Sequence, residues 1–274
     1  MKFNYMNKVL IIPAGHGQIN MIKYFKNKKY KTFTLDDDDH AVGHNFSDYR
    51  VKIKSKNLSK IKKYVKKENL KVASTASDFG FKLKNKIMFN SIKAKKLNNL
   101  LNKYLQKKKW KKIERNTEFF ELKDFKKKKL IKSSYVLKPK FGSGSNDIYL
   151  IKKNKDLNII NKKKFNNEYF IEKFIPGNEY VIDGYKYKNK IIIFLIGKKK
   201  KLFFSVSNVI FNHDLDSSVL FLVEEKIKRF INLMDYPDGP FHSEFIINKK
   251  KIDLIECHPR AIGYNIYDIL INKL

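Results

Sequence analysis

Apolar residues in the first ninety positions alternate between short continuous runs and helical spacings. Val9-Leu10-Ile11-Ile12 is a continuous run closed by Pro13-Ala14-Gly15-His16-Gly17-Gln18, and it predicts a buried strand running into a tight turn. Ile19, Ile22, Tyr24 and Phe25 then predict a helix. Positions 30–35 predict a second strand, closed by Asp36-Asp37-Asp38-Asp39, and positions 49–53 a third. Leu58, Ile61, Tyr64 and Val65 share one helical face, and positions 72–74 predict a fourth strand. Strand and helix in alternation imply a parallel sheet with helices on its faces.

Further along, the pattern changes. Leu97, Leu100, Leu101, Tyr104 and Leu105 give positions 87–105 a helical stripe, whereas 107–112 and 126–129 are lysine runs expected as exposed loops or linkers. Positions 135–140 predict a strand carrying Lys138, and 148–151 another, with the small loop Phe141-Gly142-Ser143-Gly144-Ser145-Asn146-Asp147 between them. Such a loop either closes a plain hairpin or folds its N–H groups over phosphates, with Lys138 aimed at the same anion. Positions 169–185 predict two strands about Pro176-Gly177. Exposed main chain at Glu172, Lys173, Phe174 and Ile175 suits pairing with a base, and Glu179 suits ribose hydroxyls. Strands are expected at 191–196 and 202–206, separated by lysines 198–201, and a helix at 219–234 with Leu220, Val223, Ile227, Phe230 and Ile231 inward.

The last third carries the clearest chemistry. Positions 239–247 and 252–260 predict a β-hairpin across a polar turn at 248–251. Alternation puts Ile252, Leu254, Glu256 and His258 on one face. Folding about Lys250 sets Glu244 opposite Glu256, and opposed carboxylates destabilise a pair. Either both acids lie in water or a divalent cation sits between them, with His258 and Arg260 beside it.

Size and charge narrow the function classes. The 274 residues provide ample material for a core in one large or two medium domains. The longest apolar run, 191–196, is too short to span a bilayer, and the N-terminal run is too short for a secretion signal. Cys257 is the single cysteine, which suits a cytoplasmic protein and a buried core position. The net charge of +33 invites a polyanion-binding reading, but the excess is lysine; Arg50, Arg115, Arg229 and Arg260 are the arginines. Nucleic-acid readers lean on arginine's bidentate fork, so the lysines read as base-composition drift, and nucleic acid is not the expected partner. His16, His40, His44 and His213 match no metal spacing, whereas Asp36 stands at a strand end where ligands bind in such sheets, and His242 shares the face of Glu244.

Three stretches in order resemble the ATP-grasp superfamily: Leu137-Lys-Pro-x-x-Gly-Ser-Gly-Ser145, Ile171-Glu-Lys-Phe-Ile-Pro-Gly-Asn-Glu179, and Glu244 with Glu256-Cys-His-Pro-Arg260. The resemblance implies a mixed α/β and α+β chain, with a Rossmann-like preATP-grasp domain over 1–88 and a two-subdomain ATP-grasp fold over 89–274. It implies ATP bound by Lys138, by the loop Gly142, Ser143, Gly144 and Ser145, by the hinge Glu172, Lys173, Phe174 and Ile175, and by Glu179. A second ATP lysine is expected at Lys95, with Lys93 and Lys96 as alternatives. Glu244 and Glu256 are implied as magnesium ligands, with His258 beside them, and Arg260 as the residue facing the reacting carboxylate. The implied activity is an ATP-dependent ligase joining a small-molecule carboxylate to an amine, off the membrane, with a homodimer among the assemblies open to it.

Three departures bear on this. His258 replaces the family's usual Asn, which favours a softer ion such as manganese. Asn146-Asp147 stands where a basic residue and glycine are commoner. Most members also continue for ~80–100 residues past the arginine, the size of a small domain. A homologue that binds ATP without ligating is therefore the alternative, and a basic polyanion-binding protein is the reading from another class.

Overall fold

The structure is a computed structural model that describes all residues apart from 1–6, 75, 115–117, 126–132, 143, 145–146, 153–155, 157–164, 166, 203–204, 212–214, 249–250 and 262–274. The chain divides into two compact units, Met1–Asn98 with Arg260–Leu274, and Asn99–Pro259. The expected boundary after residue 88 falls inside the first unit, between its last two helices.

The first unit follows its hydrophobic pattern closely. Strands β1 (Lys8–Ile11), β2 (Lys31–Thr34), β3 (Tyr49–Arg50) and β4 (Lys71–Ala73) form a parallel sheet in the order β3-β2-β1-β4. Helices α1 (Ile19–Asn27), α2 (Leu58–Lys67), α3 (Asp78–Met88) and α4 (Ser91–Asn98) complete it. β1 is buried on both faces, as its continuous apolar run requires. Leu10 packs with Phe33, Ile61 and Ile87, while Val9 and Ile11 meet Ile22 on the other side. Gly80 lets α3 approach the end of β1: a Cβ there would lie 2.4 Å from the Ile12 carbonyl oxygen.

The single helix expected over 87–105 is four helical segments, the end of α3, α4, a 3-10 turn at Asn99–Leu101 and the start of a further helix. α3 ends at Met88; the Asn90 side chain then accepts the Lys93 N–H at 2.9 Å, and Asn102 accepts that of Leu105 at 3.1 Å. A short amide side chain that takes an early N–H starts a new helix instead of continuing the old one. The helix begun by Asn102, α5 (Lys103–Trp110), opens the second unit and absorbs lysines expected in an exposed loop.

The second unit holds two antiparallel sheets. β5 (Phe119–Glu121), β6 (Tyr135–Pro139), β7 (Tyr149–Ile151) and β8 (Tyr169–Lys173) pair in the order β5-β8-β6-β7, with the short helix α6 (Leu122–Phe125) on their core. The larger sheet, in the order β11-β10-β9-β12-β13, is built from β9 (Asn178–Tyr187), β10 (Lys190–Leu202), β11 (Ser205–Phe211), β12 (Gly239–Asn248) and β13 (Lys251–His258). The lysines at 198–201 do not interrupt β10, which runs straight through them. Helix α7 (Ser217–Met234) buries Val223, Ile227, Phe230 and Ile231. Fully buried Trp110 of α5 packs edge-on against Phe230 of α7 and Phe245 of β12.

The β12–β13 hairpin corrects one expectation. Phe245 pairs with Leu254, yet Glu244 pairs with Glu256, so Ile255 is an extra residue. This bulge inverts the alternation. Leu254 therefore lies with Phe245 on one face, and Glu256 and His258 lie on the opposite face with Glu244 and His242. Had the strand continued in regular alternation through Ile255, it would present Glu256 on the face of Leu254.

Candidate active site

Three alternate rungs of the large sheet build the polar face. Asp183, His242 and His258 lie across one rung, Val181, Glu244 and Glu256 across the next, and Glu179, Ile246 and Asp253 across the third. The lysines of β10 cover this face. Lys199 Nζ lies 2.8 Å from Glu179 Oε1 and 2.6 Å from Glu244 Oε1, and Lys201 is also ion-paired with Glu179. Burial alone would lower the Lys199 pKa, but Glu244 and Glu179 outweigh it and hold the ammonium charged.

Each half of the acidic pair has its own cations. His242 Nδ1 lies 3.0 Å from Asp183 Oδ2, and its Nε2 lies 3.4 Å from Glu244 Oε1. Burial opposes the imidazolium, yet Asp183 and then Glu244 carry the His242 pKa up to about 9. Burial would raise the Glu244 pKa and Glu256 adds to this, but Lys199 and His242 hold it well below the usual carboxylate range. Glu256 Oε2 lies 2.7 Å from Lys103 Nζ, and its Oε1 lies 3.3 Å from His258 Nε2. These partners overcome burial and depress its pKa as well. Both opposed carboxylates are thus held as anions.

A second cluster joins the two sheets of the unit. Lys103 and Lys107 are one helical turn apart on α5 and share a face. Lys107 Nζ lies 2.8 Å from Glu172 Oε2 and donates to the Leu254 carbonyl; Lys138 Nζ lies 2.5 Å from Glu172 Oε1, over the Phe170 ring. Burial lowers the Lys138 pKa against the pull of Glu172, while Lys107 and Lys138 override burial to hold the Glu172 carboxyl low.

The structure therefore brings together Lys138, Glu172, Glu179, Glu244, Glu256 and His258 in one unit. Lys138, Glu172, Lys173, Phe174, Ile175 and Glu179 all line one pocket. The hinge has less free main chain than expected, because the Lys173 N–H donates to Glu118 O at 2.8 Å and that of Phe174 to Ser134 O at 2.9 Å. Gly142 and Gly144 are exposed at φ +128° and +73°, conformations that favour glycine; Ser143 and Ser145 lie outside the described residues. Arg260 belongs to the first unit, where its Nε donates to Asp78 and its Nη1 to Ala261 O at 3.0 Å. Lys95 is an exposed residue of α4 in that unit, as are Lys93 and Lys96. In the first unit, Asp36 accepts the Ala14 N–H at 2.8 Å, tying the turn after β1 to the end of β2.

Sequence reasoning missed Lys103, Lys107 and Asp253, and it offered Asp183 and lysines 198–201 only as possible substrate contacts with no assigned role. Two of these pairs had a signal inside the charge runs: Lys103 and Lys107 have helical i,i+4 spacing, and Lys199 and Lys201 have the i,i+2 spacing of one strand face.

The donor types suit a divalent cation and a polyphosphate, although among the described residues no group of three or more His, Cys, Asp or Glu side chains is gathered as a ready metal site. Glu244 and Glu256 are held anionic and offer the oxygen ligands that magnesium prefers, while lysine ammoniums stand beside them for phosphate oxygens. No helix of the described residues is long and apolar enough to cross a membrane.

No curated protein matches the chain by sequence. Solved structures do match its fold. An L-amino acid ligase from Bacillus licheniformis superimposes with a TM-score of 0.79 at 15% identity, over 97% of this chain and 71% of that one. N5-carboxyaminoimidazole synthetase from Staphylococcus aureus, complexed with ADP, gives 0.78 at 18% identity, over 96% and 73%. Phosphoribosylglycinamide synthetase from Anaerococcus prevotii gives 0.72 at 19% identity, over 97% and 71%. The sequence pattern of the ATP-grasp domain matches residues 131–267, half of the chain, which takes in the five-stranded sheet, three strands of the four-stranded one and the opposed glutamates. With that pattern matched over the residues that build the buried ionic face, the chain belongs to the ATP-grasp family.

Proposed function

We propose that this protein is an ATP-dependent ligase that activates a small-molecule carboxylate as an acyl phosphate and joins it to an amine, releasing ADP and phosphate. The observation that carries the reading is the opposed pair Glu244 and Glu256, held anionic beside buried lysines. Bound there, a magnesium or manganese ion would neutralise charge on the β- and γ-phosphates. Glu244 and Glu256 would hold it, with His258 oriented against Glu256.

The chain's own contribution is positioning and fixed charge. Lys138 and Lys103 face the phosphates, and Lys103 takes the part of the second ATP lysine expected at Lys95. Before binding, Lys199 and Lys103 stand where a cation would otherwise offset the two glutamates. On binding, these ammoniums pass to phosphate oxygens, so the acids never lie uncompensated. The Gly142–Gly144 segment excludes water from the activated carboxylate.

ADP release measured against pooled amino acids and small carboxylates tests the reading. Wild type releases ADP in a substrate-dependent manner, and Glu256→Gln abolishes it; release that survives this change removes the cation assignment. One observation favours a second reading, nucleotide binding without ligation: Arg260, expected to face the reacting carboxylate, is engaged by Asp78. Nucleotide affinity with no ADP formation on any substrate pool selects that reading.

A further inference from the structure

Asp253 has no role in the site as described so far. It sits on β13 opposite Ile246, on the same face as Glu179, and only 2% of it is exposed. Among the described residues, neither carboxylate oxygen accepts a hydrogen bond. The nearest described cation, Lys251 Nζ, is 3.7 Å away on a side chain that is 52% exposed, too far for a hydrogen bond and free to turn to water. A buried carboxyl group without a donor is costly, and native proteins rarely keep one without a reason.

Its surroundings say what would satisfy it. Asp253 lines the pocket shared by the two sheets of the second unit. The other buried charges there are already matched: Lys107 and Lys138 with Glu172, and Glu179 with Lys199 and Lys201. Apart from the exposed Lys173, which faces Glu118, the remaining walls are apolar, from residues such as Val136, Ile148, Phe174 and Ile246. A carboxylate accepts and does not donate, so its partner must bring N–H or O–H groups. A nucleoside triphosphate carries such donors only at its base and sugar end, as an exocyclic amine and ribose hydroxyls. Its phosphates are acceptors, which Asp253 repels and Lys138 and Lys103 attract.

We propose that Asp253 is the nucleotide-orienting acceptor of this pocket: its carboxylate receives donors from the base or ribose and fixes the phosphate end toward the lysines. This rests on the nucleotide reading above and adds a specificity residue to it.

Calorimetric titration of the full chain with magnesium and ATP, 2′-deoxyATP, 3′-deoxyATP or purine riboside triphosphate tests it. Asp253→Ala and Asp253→Asn should each weaken ATP roughly tenfold or more, the loss expected for a hydrogen bond to a charged group. At least one analogue should bind wild type as weakly and be indifferent to Asp253→Ala. An indifferent purine riboside identifies the amine, and an indifferent deoxy analogue identifies a hydroxyl. The Tm of nucleotide-free Asp253→Asn should rise by about 2–4 °C, because an unmatched buried carboxylate is removed. ATP affinity within twofold of wild type in both variants, an equal loss for all four nucleotides, or a lower Tm would overturn the proposal. Lys138→Ala separates the two readings. If it loses ATP while both Asp253 variants retain it, only the role of Asp253 falls. If wild type binds none of the nucleotides, the site reading falls with it.

Discussion

On one face of the five-stranded sheet, Phe245 meets Trp110 and Leu254 is its cross-strand neighbour; one rung away on the other face, Glu244 opposes Glu256 among lysines and histidines. Both faces are buried, but they are held differently. The apolar face loses free energy in proportion to what is removed from it. The ionic face is held by matched charges, so removing one partner costs more than removing both. Under the proposed function this contrast is expected, since apolar residues can often fill such an ionic face without loss of stability.

The largest effect should separate the faces directly. Phe245→Ala and Lys103→Met should each cost about 3–5 kcal/mol in urea unfolding. Adding Glu256→Met to Lys103→Met should return most of that loss, whereas no single second change repairs Phe245→Ala. A Lys103→Met/Glu256→Met protein no more stable than Lys103→Met would show that the ionic face is not charge-matched in this sense.

A smaller effect is expected from pH. Folded His242 keeps its proton up to about 9 against an ordinary value of 6.5, so its stabilisation is complete below about 6.5 and is lost as pH rises through about 9. Stability should fall across that window by on the order of 3 kcal/mol, at 1.36 kcal/mol per pKa unit. The decline should flatten in His242→Gln, and an unchanged slope would contradict the Asp183–His242–Glu244 arrangement. The smallest effect tests what joins the two faces. Asn102 starts α5, which sends Trp110 to the apolar face and Lys103 to the ionic one. Asn102→Ala should cost about 1 kcal/mol, the usual value of such a cap, and equally with or without nucleotide. A larger loss in nucleotide affinity than in stability would show that the cap also tunes the lysines.

Much of this was legible in the chain. The run at Val9 to Ile12 and the spacings after it specify a parallel sheet, because a strand buried on both faces leaves little ambiguity. The pairing of Glu244 with Glu256 was also readable. The faces around it were not, since a bulge leaves no periodic trace: each half of β13 alternates correctly by itself. The lysines of α5 and β10 were hidden for a different reason. In a chain this rich in lysine, a run looks solvated whether or not one member is buried, and only the carboxylates facing Lys107 and Lys199 decide. Lys95 and Lys103 are equally plausible as letters; the Asn102 cap sets which one heads the helix beside Glu256. Asp253 could not be singled out at all, because its lack of partners is a property of three dimensions.

The bulge at Ile255 also bears on which length changes this hairpin can survive. Deleting Ile255 would make Leu254 and Glu256 consecutive residues of a regular strand, which still places them on opposite faces, so the aromatic core and the lysine-covered face would both keep their side chains. A one-residue change of length in β13 is therefore absorbed at the bulge without exchanging the two faces, and two chains of this kind can be compared across the strand only if the extra residue is counted.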